Sequence, residues 1–415
     1  MNAPDRLAFS SVLGALSMSY SPLIDRARRA FGIRLTMLTV RPQDRLPVGL
    51  MLEQLGTLWP EAAAPVLVAP LDAEFDDTLL AWDAPPNAIL EVPSIALRDP
   101  NVQGLAQRAR RRGIRLAMRG RPDVPLPPAL RACFDFALIH VTEDRRRRAD
   151  GTNVPPPPGV TRKMPFIITG AFRKAELEAA YERGAMGSVG VPLDEDSPTV
   201  ERPPQPSQAA VLELLRLAHE GADIERMELA IKQDAPLMFE LLRFVGTSAF
   251  AVPMPVGSVK RALMVLGHVA LTRWLSRVLR MARAEGGAAP LMHASVRRGL
   301  FLERLAGCTP GGAELRESLY LTGALSLLDR TTGTSFTRLL ETAGLPAEVG
   351  HALIERAGPC APYLALVEAI ERSDPINSRK HRESLGIGAL DCNLALLRAL
   401  AAAPTAESGG ELAAG

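Results

Sequence analysis

The sequence predicts two domains of different class, an α/β barrel in the first half and an all-α domain in the second. Three observations predict it. Between residues 17 and 192, short apolar runs of strand length alternate with helix-like stretches, the pattern of a sheet covered on both faces. The segment LDEDSPTVERPPQPS (193–207) combines acid, proline and serine with almost no apolar residue, a composition that makes a semi-rigid linker. Beyond Gln208, apolar residues recur at helical spacing behind N-capping side chains. At 415 residues the chain exceeds what one hydrophobic core usually supports, and 47% hydrophobic residues supply two. The expected organisation is a barrel domain over 1–193, a proline-rich linker over 194–207, a helical domain over 208–402 and a disordered tail over 403–415.

In the first half the candidate strands are MSYSPLID, FGIRLTML, PVLVAPL, AILEVPS, IRLAMRG, FALIHVT, PFIITG and GSVGVP, with helices at 102–111 and 174–183 between them. Eight strands joined by helical crossovers imply closure into a barrel. The loop 149–159, with four consecutive prolines, is expected to be an extended surface insertion.

In the second half AAVLELLRLAHE opens the helical domain. Asp223 and Asp234 each precede an apolar run as helix N-caps, with Pro236 early in the helix, where a missing N–H costs little. Leu237, Leu241, Leu242 and Val245 share a face, and Gly246 is expected to end that helix in a left-handed conformation. Pro253 and Pro255 make an elbow. Ser258 caps a helix carrying Val259, Ala262, Leu263 and Leu266, Gly267 breaks it, and a further helix aligns Val269, Trp274, Leu275, Val278 and Leu279. Helices are also expected at 290–306, 316–329 and 361–372, after Ser335 and Pro346, and at 391–402.

Composition narrows the function. A formal net charge of +2 gives no global field for nucleic acid or anionic membrane. The clusters Arg108, Arg110, Arg111, Arg112, Arg115 and Arg145–Arg148 lack interleaved aromatics, so they read as solvated surface, with no nucleic-acid partner expected. With no eighteen-residue apolar run and no signal pattern, a cytoplasmic protein without a membrane partner is expected. Cys133, Cys308, Cys360 and Cys392 are too far apart for a zinc motif and read as small buried hydrophobes. His140, His219, His268, His293, His351 and His381 show no i, i+4 pairing, so neither a metal site nor a cofactor is expected.

The series IKQDAPLMFELLRFVGTSAF, proline elbow, GSVKRALMVLGHVALTRWL resembles the opening half of an HDOD domain, a helical relative of the HD phosphohydrolases. The closing helices FTRLLETAG, AEVGHALIERAG and APYLALVEAIER resemble that family's second half. Where the phosphohydrolases carry GLLHDIG this chain has GALSLLD, with no His-Asp dipeptide. The first half is similar to EAL domains, the barrel phosphodiesterases that open cyclic di-GMP. SPLIDRARRAFGIRLTML resembles their first hairpin, and AILEVPS with DPNVQGLAQRARRRGIRLAMRG their central strand, helix and strand.

That resemblance implies divalent metals held by oxygen ligands that activate water. Mapped residue by residue, the signature glutamate falls at Arg34, the strand-three asparagine at Ala69 and the aspartate pair on Arg119 and Gly120. The sixth-strand lysine and aspartate fall at Leu138 and His140, and the seventh-strand glutamate falls near Thr169. Glu91 alone keeps a carboxylate. Guanidiniums in place of carboxylates repel a dication, so no catalytic residue is expected, and neither enzymatic activity nor a metal. Arg34, Glu91 and Arg119 remain as ligand-site candidates with two readings: both arginines close on Glu91 as a structural ion pair, or they grip a phosphate. The expected function is non-catalytic signal transduction through protein–protein interaction. The resemblance implies a sensor kinase, a nucleotide cyclase or another regulator as partner, and the alternative is a degenerate cyclic di-GMP receptor.

Overall fold

The computed structural model describes residues 12–41, 45–143, 164–171, 173–190, 203–246, 257–280, 282, 289–340, 343 and 345–403. The Arg145–Arg148 cluster, the proline loop, the Pro253–Pro255 elbow, most of the linker and the tail beyond 403 lie outside the described residues. The chain divides into two compact units, one of residues 1–195 with 370–375 and 405–415, the other of residues 196–369 with 376–404.

The first unit is a closed eight-stranded barrel of β1 (Leu16–Asp25), β2 (Ala30–Thr39), β3 (Val66–Pro70), β4 (Ala88–Pro93), β5 (Arg115–Arg119), β6 (Phe136–His140), β7 (Phe166–Thr169) and β8 (Gly187–Val189). All eight expected strands are present. Strands β2 to β8 run parallel to one another, whereas β1 is antiparallel to both β2 and β8. The sequence causes that inversion locally. Asp25 ends β1, its carboxylate accepting the Arg29 backbone N–H at 2.8 Å and Nε at 2.9 Å, so the chain turns back into β2 as a hairpin.

Alternate residues point inward, and Leu67, Ile89, Ala117, Phe136, Leu138 and Ile167 fill the barrel, none more than 2% exposed. Each large aliphatic side chain so buried stabilises by about 1.5–3 kcal/mol. The helical cover is α1 (Val48–Leu58), α2 (Pro100–Arg111), the single turn α3 (Pro128–Arg131) and α4 (Lys174–Glu182). Asp99 caps α2 by accepting the Asn101 N–H at 2.8 Å, with Pro100 in its first turn.

The second unit is helical: α5 (Gln208–His219), α6 (Ile224–Lys232), α7 (Ala235–Val245), α8 (Val259–Leu279), α9 (Ala289–Leu305), α10 (Arg316–Leu325), α11 (Leu328–Thr332), α12 (Phe336–Leu340), α13 (Ala347–Gly350), α14 (Ala361–Glu371), α15 (Pro375–Ser384) and α16 (Ala389–Ala402). Ser207, Asp223, Asp234 and Ser258 each accept a first-turn backbone N–H at 2.8–3.1 Å. Gly267 breaks α8 with φ 67° and ψ 168°, a region essentially reserved for glycine.

Two local expectations change, and one helix was not expected. Gly246 ends α7 in a right-handed conformation, φ −69°. Its lack of a side chain serves packing, because a Cβ there would stand 3.1 Å from the Leu242 carbonyl oxygen. The helix expected over 316–329 breaks after Leu325, where the Ser326 hydroxyl donates to the Gly323 carbonyl at 2.7 Å and so competes with the helical ladder. Finally, α15 carries no apolar stripe for periodicity to find, and Ser378 is its buried residue. By length and composition α8 could cross a membrane, but Val259, Leu263, Leu266, Leu271, Trp274 and Leu275 are buried in the unit's own core.

Candidate phosphate site at the barrel mouth

Three strands deliver the expected residues to one place. Arg34 leaves β2 beside Leu67, Glu91 stands on β4 and Arg119 ends β5. Glu91 is 1% exposed and accepts two parallel hydrogen bonds from Arg34, Nε to Oε2 and Nη2 to Oε1, each 2.8 Å. This fork is the strong geometry for a guanidinium and a carboxylate. Arg119 Nε lies 3.0 Å from Oε1, an ion pair whose N–H is not aimed to form a hydrogen bond. The strands carrying Arg34 and Glu91 are not neighbours: β3 separates them. On β3 Leu67 pairs with Arg34, and the next residue on the same face is Ala69, whose side chain is only a methyl group.

One carboxylate thus faces two guanidiniums. Burial lowers the Arg119 pKa, Glu91 opposes that, and Arg34 adds to it. The floor of two guanidiniums on one buried carboxylate is itself net positive, partly offset at Arg119 by Asp72 and Glu143, a setting that can take an anion. Above it opens a cavity of about 600 Å³ whose polar lining includes Arg34, Arg98, Arg119, Arg121, His140 and Glu143. Rim groups are fixed by short-range bonds. Arg98 pairs with Asp123, and Ser94 Oγ donates to the Arg121 carbonyl at 3.0 Å. His140 Nδ1 lies 2.7 Å from the Thr142 hydroxyl and 3.3 Å from the Thr142 backbone N–H, which fixes the ring. That ring lies on Gly170, where a Cβ would come within 2.1 Å of Nε2.

The family resemblance pointed to Arg34, Glu91 and Arg119 but not to Arg98, Arg121 and Glu143, which lie beyond strand ends, Arg98 and Glu143 in single 3-10 turns, and carry no periodic signal. The basic cluster on and after α2 is largely paired: Arg108 with Asp77 at 2.6 Å, and Arg110 and Arg115 with Asp135 at 2.9 and 2.8 Å.

In the helical unit, Ser326 accepts Arg298 Nη1 at 2.8 Å and donates to the Gly323 carbonyl at 2.7 Å, so its hydroxyl is held by a guanidinium and a backbone carbonyl. His293 is largely buried, and that burial, with Arg297 nearby, pushes its pKa down to about 4. A second ion cluster was not legible in the sequence. Lys232 Nζ receives Glu228 and Glu303 at 3.1 Å and Glu317 at 3.7 Å, and sits 4.5 Å from the Tyr320 ring centre. Burial alone would lower the Lys232 pKa, yet the three carboxylates raise it. The i, i+4 spacing from Glu228 was its single sequence signal. Among the described residues no three His, Cys, Asp or Glu side chains converge as a metal site.

Comparison with known proteins identifies part of the chain. Residues 203–331 match the HDOD domain. The chain is 30% identical over 195 residues to cyclic di-GMP phosphodiesterase CdgJ of Vibrio cholerae, covering 47% of this chain and 45% of that one. It is 27% identical over 164 residues to the uncharacterized protein YuxH of Bacillus subtilis, covering 39% and 40%. The match thus spans less than half the length of either curated relative. CdgJ bears a phosphodiesterase's name, which points toward enzymatic activity and overturns the expectation that the chain is not an enzyme. That expectation rested on counting oxygen ligands at positions aligned by spacing. Such a count bears on one metal-dependent route and leaves other acid–base groups, such as His140 and Glu143 in this cavity, out of account. The chain therefore carries an HDOD domain at residues 203–331, preceded by a closed eight-stranded barrel.

Proposed function

We propose that this chain works in cyclic di-GMP signalling: an EAL-like barrel takes the dinucleotide's phosphates at its arginine-lined mouth, and the HDOD unit relays the state by docking another signalling protein. The observation that carries the reading is the floor of the cavity, where one buried carboxylate pre-orients two guanidiniums and leaves net positive charge beneath a space of about 600 Å³. Arginine is the side chain best shaped for phosphate, and it gains when its fork is held before the ligand arrives. Two further facts support the pathway: the HDOD match and the relative named for cyclic di-GMP. The first strand, antiparallel to both neighbours, is compatible with an EAL-type barrel.

Titration calorimetry with cyclic di-GMP, alongside chromatography for linear dinucleotide in magnesium or manganese, tests the reading. We expect micromolar binding, weakened about tenfold or more in Arg119→Ala. Release of linear product would make the chain a phosphodiesterase like its named relative, and binding without release would make it a receptor. Absence of binding to wild type, or binding indifferent to Arg119→Ala, would remove the mouth from the proposal.

A further inference from the structure

We infer that the outer rim of the barrel mouth is a guanine-reading subsite, where Arg98 and Asp123 together read the Watson–Crick edge of one base and Ile95 takes its face. The inference rests on the reading that the cavity floor takes a phosphate of a cyclic dinucleotide, and adds how the site chooses the base.

A phosphate seated on the floor leaves its nucleoside's base in the outer part of the same cavity, where the lining includes Ile95, Arg98 and Asp123. These side chains come from two segments, the turn after β4 and the stretch after β5, and hydrogen bonds hold both. Leu97, 3% exposed, anchors the turn: its N–H donates to the Ser94 carbonyl at 3.2 Å, and its own carbonyl accepts Gln103 Nε2 at 2.8 Å. The Ser94 N–H donates to the Arg119 carbonyl at 2.8 Å and its Oγ to the Arg121 carbonyl at 3.0 Å, while Arg98 Nη2 pairs with Asp123 Oδ2. Three ties therefore join the two segments into one rim. On it Ile95 is 66% exposed, an apolar surface beside charged groups. A flat base laid on Ile95 takes that surface out of water, as apolar side chains do for bases in other pockets.

Hydrogen-bond order decides which base. The Watson–Crick edge of guanine runs acceptor, donor, donor: O6, N1–H and N2–H. Arg98 offers N–H donors and Asp123 beside it offers two carboxylate oxygens, which is the matching order. Arg98 engages Oδ2, and among the described residues Oδ1 has no donor. Adenine presents N6–H and N1, one donor and one acceptor in the reverse order. Even turned over to meet the pair, it leaves a carboxylate oxygen unanswered, and an unanswered polar group is how a site rejects a near-analogue. A second phosphate contact is the competing role for Arg98, but the Asp123 carboxylate offsets its charge and repels a phosphate. Both members of the pair are more than half exposed, so it contributes little to stability and its loss tests recognition rather than folding.

The test is titration calorimetry on the full chain with cyclic di-GMP and with cyclic di-AMP, for wild type, Asp123→Asn, Ile95→Ala and Arg119→Ala. Wild type is expected to favour the guanine dinucleotide by about tenfold or more. In Asp123→Asn an amide replaces one acceptor by a donor, so the preference is expected to vanish while circular dichroism stays unchanged. Ile95→Ala is expected to weaken both ligands alike, about threefold or more, because the platform serves either base. Arg119→Ala is expected to weaken both without changing their ratio. Equal affinity of wild type for the two ligands, a preference that survives Asp123→Asn, or affinities untouched by Ile95→Ala would each overturn the inference. If Arg119→Ala still weakened both ligands in such a case, the phosphate reading would stand without the guanine subsite. Binding of neither ligand to wild type would remove floor and rim together.

Discussion

Glu91 is the residue on which the barrel site turns, because its carboxylate is the shared partner of two guanidiniums and is itself 1% exposed. Removing one member of a buried ion pair costs more than the pair contributes, typically about 3–5 kcal/mol, since the remaining charges stay desolvated and unpaired. Glu91→Gln keeps the shape and deletes the charge, so urea unfolding of the barrel, followed by Trp59 and Trp82 fluorescence, is expected to lose roughly 3 kcal/mol. Arg119→Met should cost less, because the Arg34 fork survives it. Equal losses would mean that the fork does not organise the site. His293 gives a pH test. Its pKa is depressed to about 4, so between that value and the ordinary 6.5 the unfolded chain binds a proton that the folded chain refuses. Stability is therefore expected to fall as pH drops from 6.5 towards 4, by at most about 3 kcal/mol. Urea midpoints at the two ends of that range should converge in His293→Leu. These residues differ in how the sequence exposed them. Arg34, Glu91 and Arg119 were legible because the resemblance to EAL domains maps that family's ligand positions onto them, whereas the depression at His293 depends on neighbours that only the folded chain supplies.

Elements were legible where one face of a strand or helix is apolar, and illegible where packing sets the conformation. All eight strands announced themselves as apolar runs, yet the reversed direction of β1 depends on the Asp25–Arg29 turn and on pairing with β8, about 160 residues away in the chain. Gly246 reads as a left-handed cap until Leu242 and Ala343 are seen beside it. The crossing of α9 and α10 belongs to the same class. A Cβ at Gly323 would lie 2.6 Å from the Arg298 carbonyl carbon and from the Gly299 nitrogen, both backbone atoms that cannot swing aside. Gly323→Ala must therefore push two helices apart, and overpacking of this kind costs typically 1–3 kcal/mol, about the upper end here. The expected result is a thermal midpoint several degrees lower, with far-UV dichroism unchanged at 25 °C. A variant as stable as wild type would show that the helices do not cross this closely.

At the scale of the whole chain, the HDOD match stops at residue 331, while helices continue to Ala402. Two cysteines test whether those later helices share the earlier core. Cys360 is fully buried beside Thr322 of α10, and burial pushes its pKa up to about 11. Cys392 lies on α16, which packs on α9, and burial pushes its pKa up to about 12. At pH 7.5 a thiol with a pKa near 11 is ionised to roughly one part in 3,000, against about a tenth for an ordinary thiol, and only the thiolate attacks a disulfide reagent. In the folded chain Cys360 and Cys392 should therefore react with Ellman's reagent at least about 300-fold more slowly than a free thiol, with steric shielding adding to that. Cys308 is partly exposed and should lead the slow reaction, and Cys133, buried in the barrel, should lag behind it. All four should react at once in urea, because none is in a disulfide. Rapid labelling of Cys392 without urea would detach α16 from the core it shares with α9, and the helical unit would then end nearer to the family match than to Ala402.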